Sequence, residues 1–289
     1  MLRFVLILLA LFAAPLAAEA QTPFQSTRIA VESRGRGPDV VLIPGLASTP
    51  EVWRRLADRL DDDHRVHLVA IRGFGPLAPG ANRSGAVSAP VAAEIRRYIT
   101  SQNLRSPALI GHSMGGQLAL RVAADMGDRI GRVMVVDASP FFPSLVRTDA
   151  TVGDVEPIAR IAYQAVQFLD DETLRSQGRS LGVELGGAAD TLFNAMGWQG
   201  GDRQVLAQGL YEVMTLDLRG RLRDIRAPVT VVYGSSTDRN SPRRDLGRLL
   251  RAAYVNLPSA RFEPISGAEH MVMIDQPTRF AAAVDRFLS

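Results

Sequence analysis

The chain contains no cysteine and no lysine; all 33 of its basic side chains are arginine. The first absence excludes disulfides, thiolate metal sites and a cysteine nucleophile, so the fold must hold by core burial alone. Histidine is scarce as well. His64, His67, His112 and His270 are scattered and form no ligand cluster, so no metal and no cofactor is expected. The formal net charge is only +3, aromatics make up 6% of the residues, and no basic run interleaves with them. A nucleic-acid partner would need such a stripe to neutralise phosphates, and that class is excluded.

What remains is an ordinary globular composition, 46% apolar and 22% charged over 289 residues. That suits one large domain, or a domain with a sizeable insertion. The first residues, "MLRFVLILLALFAAPLAAEAQT", place Arg3 before an apolar stretch from Phe4 to Leu16 and an Ala18-Glu19-Ala20 cleavage pattern. A membrane span needs about 20 apolar residues, and Pro15 and Glu19 cut this run short. Residues 1–20 are therefore expected to be a signal peptide, cleaved near Ala20. The mature protein is expected in the periplasm or outside the cell, with no stable membrane anchor.

Downstream, strands and helices alternate. "TRIAVES" alternates in polarity, Val40 to Ile43 is continuously apolar, and a helix fits Pro50 to Leu60. "RVHLVAI", "PALIG", "RVMVVD" and "PVTVVYG" read as further strands, with helices over Val87 to Thr100, Met114 to Ala124 and near Arg243 to Ala252. A last strand, Arg261 to Ile265, leads to a helix from Pro277 to Leu288. This order implies a parallel sheet covered on both faces. Between Asp137 and Pro228 no strong strand appears, while "PIARIAYQAVQFL" and "QVLAQGLYEVMTLDL" have helical periodicity. The expected organisation is an α/β core in residues 21–138 and 228–289, with a helical lid in 139–227.

Chemistry concentrates on "LIGHSMGGQLAL". A strand, then Gly111-His112-Ser113-Met114-Gly115, then a helix is the context of a nucleophile elbow. A serine hydroxyl needs a base to take its proton. His270, between the last strand and the last helix, lies at the sheet edge that carries the elbow; His112 is expected to pack the elbow. The base needs a carboxylate to hold its tautomer. Asp238, after the penultimate strand, is preferred over Asp137, a strand-end aspartate that also suits a structural role. An oxyanion needs prearranged donors, each worth about 3 kcal/mol. The Met114 N–H and the Leu46 N–H, in "IPGLAS", are the expected pair.

These residues resemble the α/β-hydrolase superfamily, in particular its "GHSMGG" group of esterases, C–C-bond hydrolases and haloperoxidase-like enzymes. The resemblance rests on "LIPGLAS", "IRGFG", "LIGHSMGG", "PVTVVYG" and "AEHMVMIDQP" and covers nearly all of the chain after the leader. It implies an α/β fold with a mostly parallel, eight-stranded-type sheet, helices on both faces and an inserted lid. Two positions depart from the family's usual pattern. Pro44-Gly45 stands where His-Gly is usual, and Ala70-Ile71-Arg72-Gly73-Phe74-Gly75 lacks the aspartate of D-x-R-G-x-G. A serine nucleophile also argues against the aspartate-using epoxide hydrolase and haloalkane dehalogenase branches.

The expected activity is hydrolysis of a small to medium, apolar carboxylic ester through an acyl-enzyme, with a small-molecule substrate as partner. Phe193, Met196, Trp198, Tyr211 and Met214 are equally fit for lid core or for an acyl pocket; of these Phe193, Trp198 and Tyr211 are the pocket candidates. C–C-bond hydrolysis and amide hydrolysis with the same triad are the alternatives; Asp170, Asp171 and Glu172 would be the amine grip for the latter. A catalytically silent binding protein is the alternative of another class. The sequence leaves the oligomeric state open.

Overall fold

Apolar, β-branched segments form the centre of the molecule, whose computed structural model describes residues 24–169, 199–238, 240, 241 and 243–289. The expected leader lies outside these residues. β2 (Asp39–Ile43), β4 (Ala108–His112) and β5 (Arg132–Val136) are buried almost throughout, as strands covered on both faces must be. With β3 (Arg65–Ile71), β6 (Val229–Ser235) and β7 (Arg261–Ser266) they form a sheet of order β1-β3-β2-β4-β5-β6-β7. β1 (Ile29–Arg34) pairs antiparallel with β3 at one edge, and the other pairs are parallel. The sheet thus has seven strands among the described residues rather than eight, because a single strand precedes β2.

Alternate residues of the strands feed two cores, one on each face. Val41, Ile43, Leu109, Val133 and Val135 pack with α2 (Ser88–Ser101) and α3 (Met114–Met126). Val40, Leu42, Ile110, Met134 and Val136 pack with α1 (Arg54–Leu60), its leading turn at Trp53, and the C-terminal helix. No helix among the described residues is long and apolar enough to cross a membrane.

The described part of segment 139–227 is helical. It contains α4 (Val152–Phe168) and α5 (Arg203–Thr215), whose Tyr163 and Tyr211 rings meet edge to face 6.5 Å apart. Thr151 and Asp154 close a capping box on α4. The stretch leading into α5 is stitched to the core through main-chain bonds: Gln199 N–H to Ala47 O (2.9 Å), Gly75 N–H to Gly200 O (2.9 Å) and Asp202 N–H to Gly73 O (2.8 Å). Glu212 then reaches from α5 to accept the N–H groups of Val87 and Ser88 at 2.9 and 2.5 Å, capping α2 from outside its own sequence. After β6 come α6 (Leu246–Ala253) and, after β7, α7 (Pro277–Leu288).

Two histidines are buried within the strands. His67, 2% exposed, donates from Nε2 to Asp39 at 3.0 Å and accepts the Tyr98 hydroxyl at Nδ1 at 2.7 Å. His112, fully buried at the end of β4, donates from Nε2 to the His270 carbonyl at 2.9 Å and leaves Nδ1 unpartnered. Burial, with the neighbouring His270, pushes the His112 imidazole down to about 3, and burial lowers His67 as well.

Glu212→Ala is expected to destabilise the protein by about 1–3 kcal/mol, since two amide donors lose their shared acceptor; urea denaturation measures this, with Glu212→Gln closer to wild type. The buried histidines set a second outcome. Below the ordinary histidine value of 6.5 the unfolded chain takes up protons that folded His112 refuses until about pH 3, so stability falls as pH falls across that window. His112→Gln keeps a donor for the His270 carbonyl and removes this titration. Its denaturation midpoint is therefore expected to fall less steeply between pH 6.5 and 3 than that of the wild type, with His67 and carboxylates held low, Asp39 and Asp137 among them, contributing to the remaining slope.

Candidate active site

Chain order decides where the site opens. From β2 the chain steps to β3 on one side and then to β4 on the other, so a crevice forms at the carboxyl ends of β2 and β4. Ser113 follows β4 in that crevice with φ 52° and ψ −121°, a conformation that costs a non-glycine residue on the order of 1–3 kcal/mol. Two glycines make the bend possible. A Cβ on Gly111 would stand 2.1 Å from Gly115 O, and one on Gly115 would stand 2.3 Å from Ile43 O. The same closeness brings the end of β2 against the elbow.

The loop after β2 therefore faces the serine. A Cβ on Gly45 would lie 3.1 Å from Ser113 Cβ and 2.9 Å from His112 Nδ1. Leu46 follows Gly45 in this loop, and Met114 follows Ser113 at the start of α3. The Ser48 N–H closes the loop on Gly45 O at 3.2 Å, and Ala47 takes a left-handed φ of 57°.

His270 enters from the loop after β7. Its ring lies 4.5 Å, centre to centre, from that of His112, and its carbonyl is the acceptor for His112 Nε2. The residue preceding Ser113 thus ties the His270 loop to the elbow, a more specific task than packing. His270 donates from Nδ1 to Asp137 Oδ2 at 2.6 Å. With Nδ1 so engaged, Nε2 is the nitrogen left to exchange a proton with a serine.

The partner of His270 is Asp137, which corrects the expectation of Asp238. Asp137 follows β5 directly, takes φ 48°, and is 7% exposed. Its Oδ1 accepts the Gly234 N–H at 3.0 Å and Arg243 Nη1 at 2.8 Å, while Oδ2 is shared by His270 and Arg243 Nη2, the latter at 3.1 Å. Burial opposes ionisation, but the bond from His270 and the Arg243 charge overcome it and hold the carboxyl down to about 2. Asp238 is exposed. Its carboxylate accepts the Asn240 N–H at 2.9 Å, and its own N–H bonds Ser236 Oγ at 3.1 Å. That local turn keeps Asp238 at the surface, while His270 Nδ1 is on Asp137.

Arg243 was not singled out by the sequence, and nothing in its local pattern marks it. Its side chain is 14% exposed, with Nε on the Glu269 carboxylate at 2.7 Å. Of the pocket candidates, Phe193 and Trp198 lie outside the described residues. Tyr211, on α5, donates its hydroxyl to Glu156 of α4 at 3.1 Å. Met214 lines an apolar cavity of about 620 Å³ with Phe142, Val146, Val155 and Ile158, beside the chain that leaves Asp137. Asp170, Asp171 and Glu172 also lie outside the described residues. Among the described residues no acidic or histidine cluster could hold a metal.

Known proteins resemble this chain in sequence and in fold. The Alpha/beta hydrolase family profile matches residues 40–283. A pimeloyl-[acyl-carrier protein] methyl ester esterase of Aeromonas salmonicida is 29% identical over 275 residues, covering 90% of this chain and 99% of the relative. The Yersinia pestis protein of the same name is 28% identical over 256 residues, covering 86% and 92%. Among solved structures, a hydrolase from Pseudomonas aeruginosa superposes with a TM-score of 0.67 at 22% identity, over 90% of this chain and 94% of that one. A thermophilic esterase from Thermogutta terrifontis gives 0.67 at 20% identity, over 90% and 92%. The strained serine after β4, the histidine after β7 and a match over most of the chain lead to one conclusion: the protein belongs to the alpha/beta hydrolase family.

Proposed function

We propose that the protein is a carboxylic-ester hydrolase that works through Ser113, His270 and Asp137. The observation that carries this reading is the bond from His270 Nδ1 to the buried Asp137 carboxylate, at the edge where Ser113 is held in a strained turn. His270 Nε2 takes the Ser113 proton as Oγ attacks the ester carbonyl. The oxyanion is met by the Leu46 and Met114 N–H groups, and the alcohol leaves with the proton returned by His270. Water then resolves the acyl-enzyme by the same route.

Ester rather than C–C or amide hydrolysis is supported by the relatives, which are named methyl ester esterases. The leader adds export to the reading. It is tested by sequencing the N-terminus of the protein recovered from cells: a start at Gln21 supports cleavage, and a start at Met1 overturns it.

The wild type is expected to hydrolyse p-nitrophenyl acetate or butyrate and to take up a fluorophosphonate on Ser113, located by mass spectrometry. Ser113→Ala should lose both. Asp137→Asn should lower kcat by roughly 10³–10⁴-fold, because His270 loses the acceptor that sets its tautomer. Asp238→Asn should stay within about twofold of wild type, a carboxylate confined to its own turn being remote from the chemistry. The opposite ranking of the two aspartates would overturn the assignment of Asp137.

A further inference from the structure

The acid of the proposed triad is unusual in its company. An aspartate that supports a catalytic histidine gains most when its full negative charge faces the imidazole. Here a buried guanidinium straddles the same carboxylate, one nitrogen on each oxygen at 2.8 and 3.1 Å, so that Oδ2 is shared between Arg243 and His270. The fork has the planar, two-point geometry that fixes a carboxylate's orientation as a single ammonium cannot. Its third nitrogen reaches Glu269, the residue before His270.

We propose that Arg243 is a positioning residue of the reaction: it locks the Asp137 carboxylate plane so that Oδ2 meets His270. This rests on the Ser113–His270–Asp137 reading above and goes beyond it.

Around His270 the Asp137 carboxylate comes from the end of β5 and the Arg243 guanidinium from the loop after β6. Glu269, on the same loop as His270, has its carboxylate on Arg243 Nε and its N–H on Asp275. Removing Arg243 leaves Oδ1 of Asp137 with the Gly234 N–H alone and frees the carboxylate plane to turn about its bond to His270.

Two variants separate the fork from the charge. Arg243→Lys keeps a cation but not the fork; Arg243→Met keeps the length of the side chain and removes the charge. A merely structural arginine would lower thermal stability in both and leave kcat as it is.

The experiment measures the rate of fluorophosphonate labelling of Ser113, together with kcat and KM for p-nitrophenyl acetate, in wild type, Arg243→Lys, Arg243→Met and Glu269→Gln. Circular dichroism and thermal melting report folding for each. In Arg243→Met kcat should fall about tenfold or more while KM changes little. Arg243→Lys should also lower kcat, which isolates the fork. Glu269→Gln leaves both bonds to Asp137 in place and should change little. If both Arg243 variants fold and keep the wild-type kcat, the proposal is overturned. Should Arg243→Met fail to fold, Arg243→Lys decides alone: an unchanged kcat rejects the positioning role. Failure of the wild type to label at Ser113 would instead reject the reading beneath it, whatever Arg243 does.

Discussion

A single buried carboxylate organises this edge of the molecule. An ion placed inside a protein is costly unless donors surround it, and Asp137 is surrounded by three elements. It accepts from Gly234 on β6, from Arg243 on the following loop, and from His270 on the loop after β7, while itself extending from β5. Four pieces of chain are thereby held relative to one another by one group. The sheet brings β5, β6 and β7 into parallel register, and the carboxylate at their outlet converts that register into the placement of an imidazole.

The elbow is joined to this node by His112. Its buried Nε2–H has one acceptor, the His270 carbonyl, so the strand that ends at Ser113 also holds the main chain of the histidine loop. Side chain and main chain of His270 are thus anchored from opposite sides, Asp137 gripping the ring and His112 the backbone. The strain at Ser113 persists because the surrounding glycines let β2 and α3 press directly on the turn. Reactive groups sit on loops, but the anchors of those loops are strand ends.

How much of this was legible in the sequence follows from what each signal depends on. Strands buried on both faces leave uninterrupted apolar runs, so β2, β4 and β5 stand where Val40 to Ile43, "PALIG" and "RVMVVD" place them, within a residue or two. Ser113 and His270 were legible because both are tied to their neighbours in the chain, the first by its glycines and the second by the strand and helix around it. The choice between Asp137 and Asp238 was not. Both follow an apolar strand, and only the folded loop reveals that Ser236, Asn240 and Asp238 satisfy one another locally. Arg243 was invisible for a stronger reason: its partner lies 106 residues away, and no periodicity encodes a contact at that separation.

The helical segment joining β5 to β6 is fastened to the crevice in a way that has an evolutionary consequence. Its stitches at Gln199 to Ala47, Gly200 to Gly75 and Asp202 to Gly73 run from main chain to main chain. Bonds of that kind persist when side chains change. The fastening therefore tolerates replacement of the side chains around it, and the loop after β2 keeps its neighbour while they change.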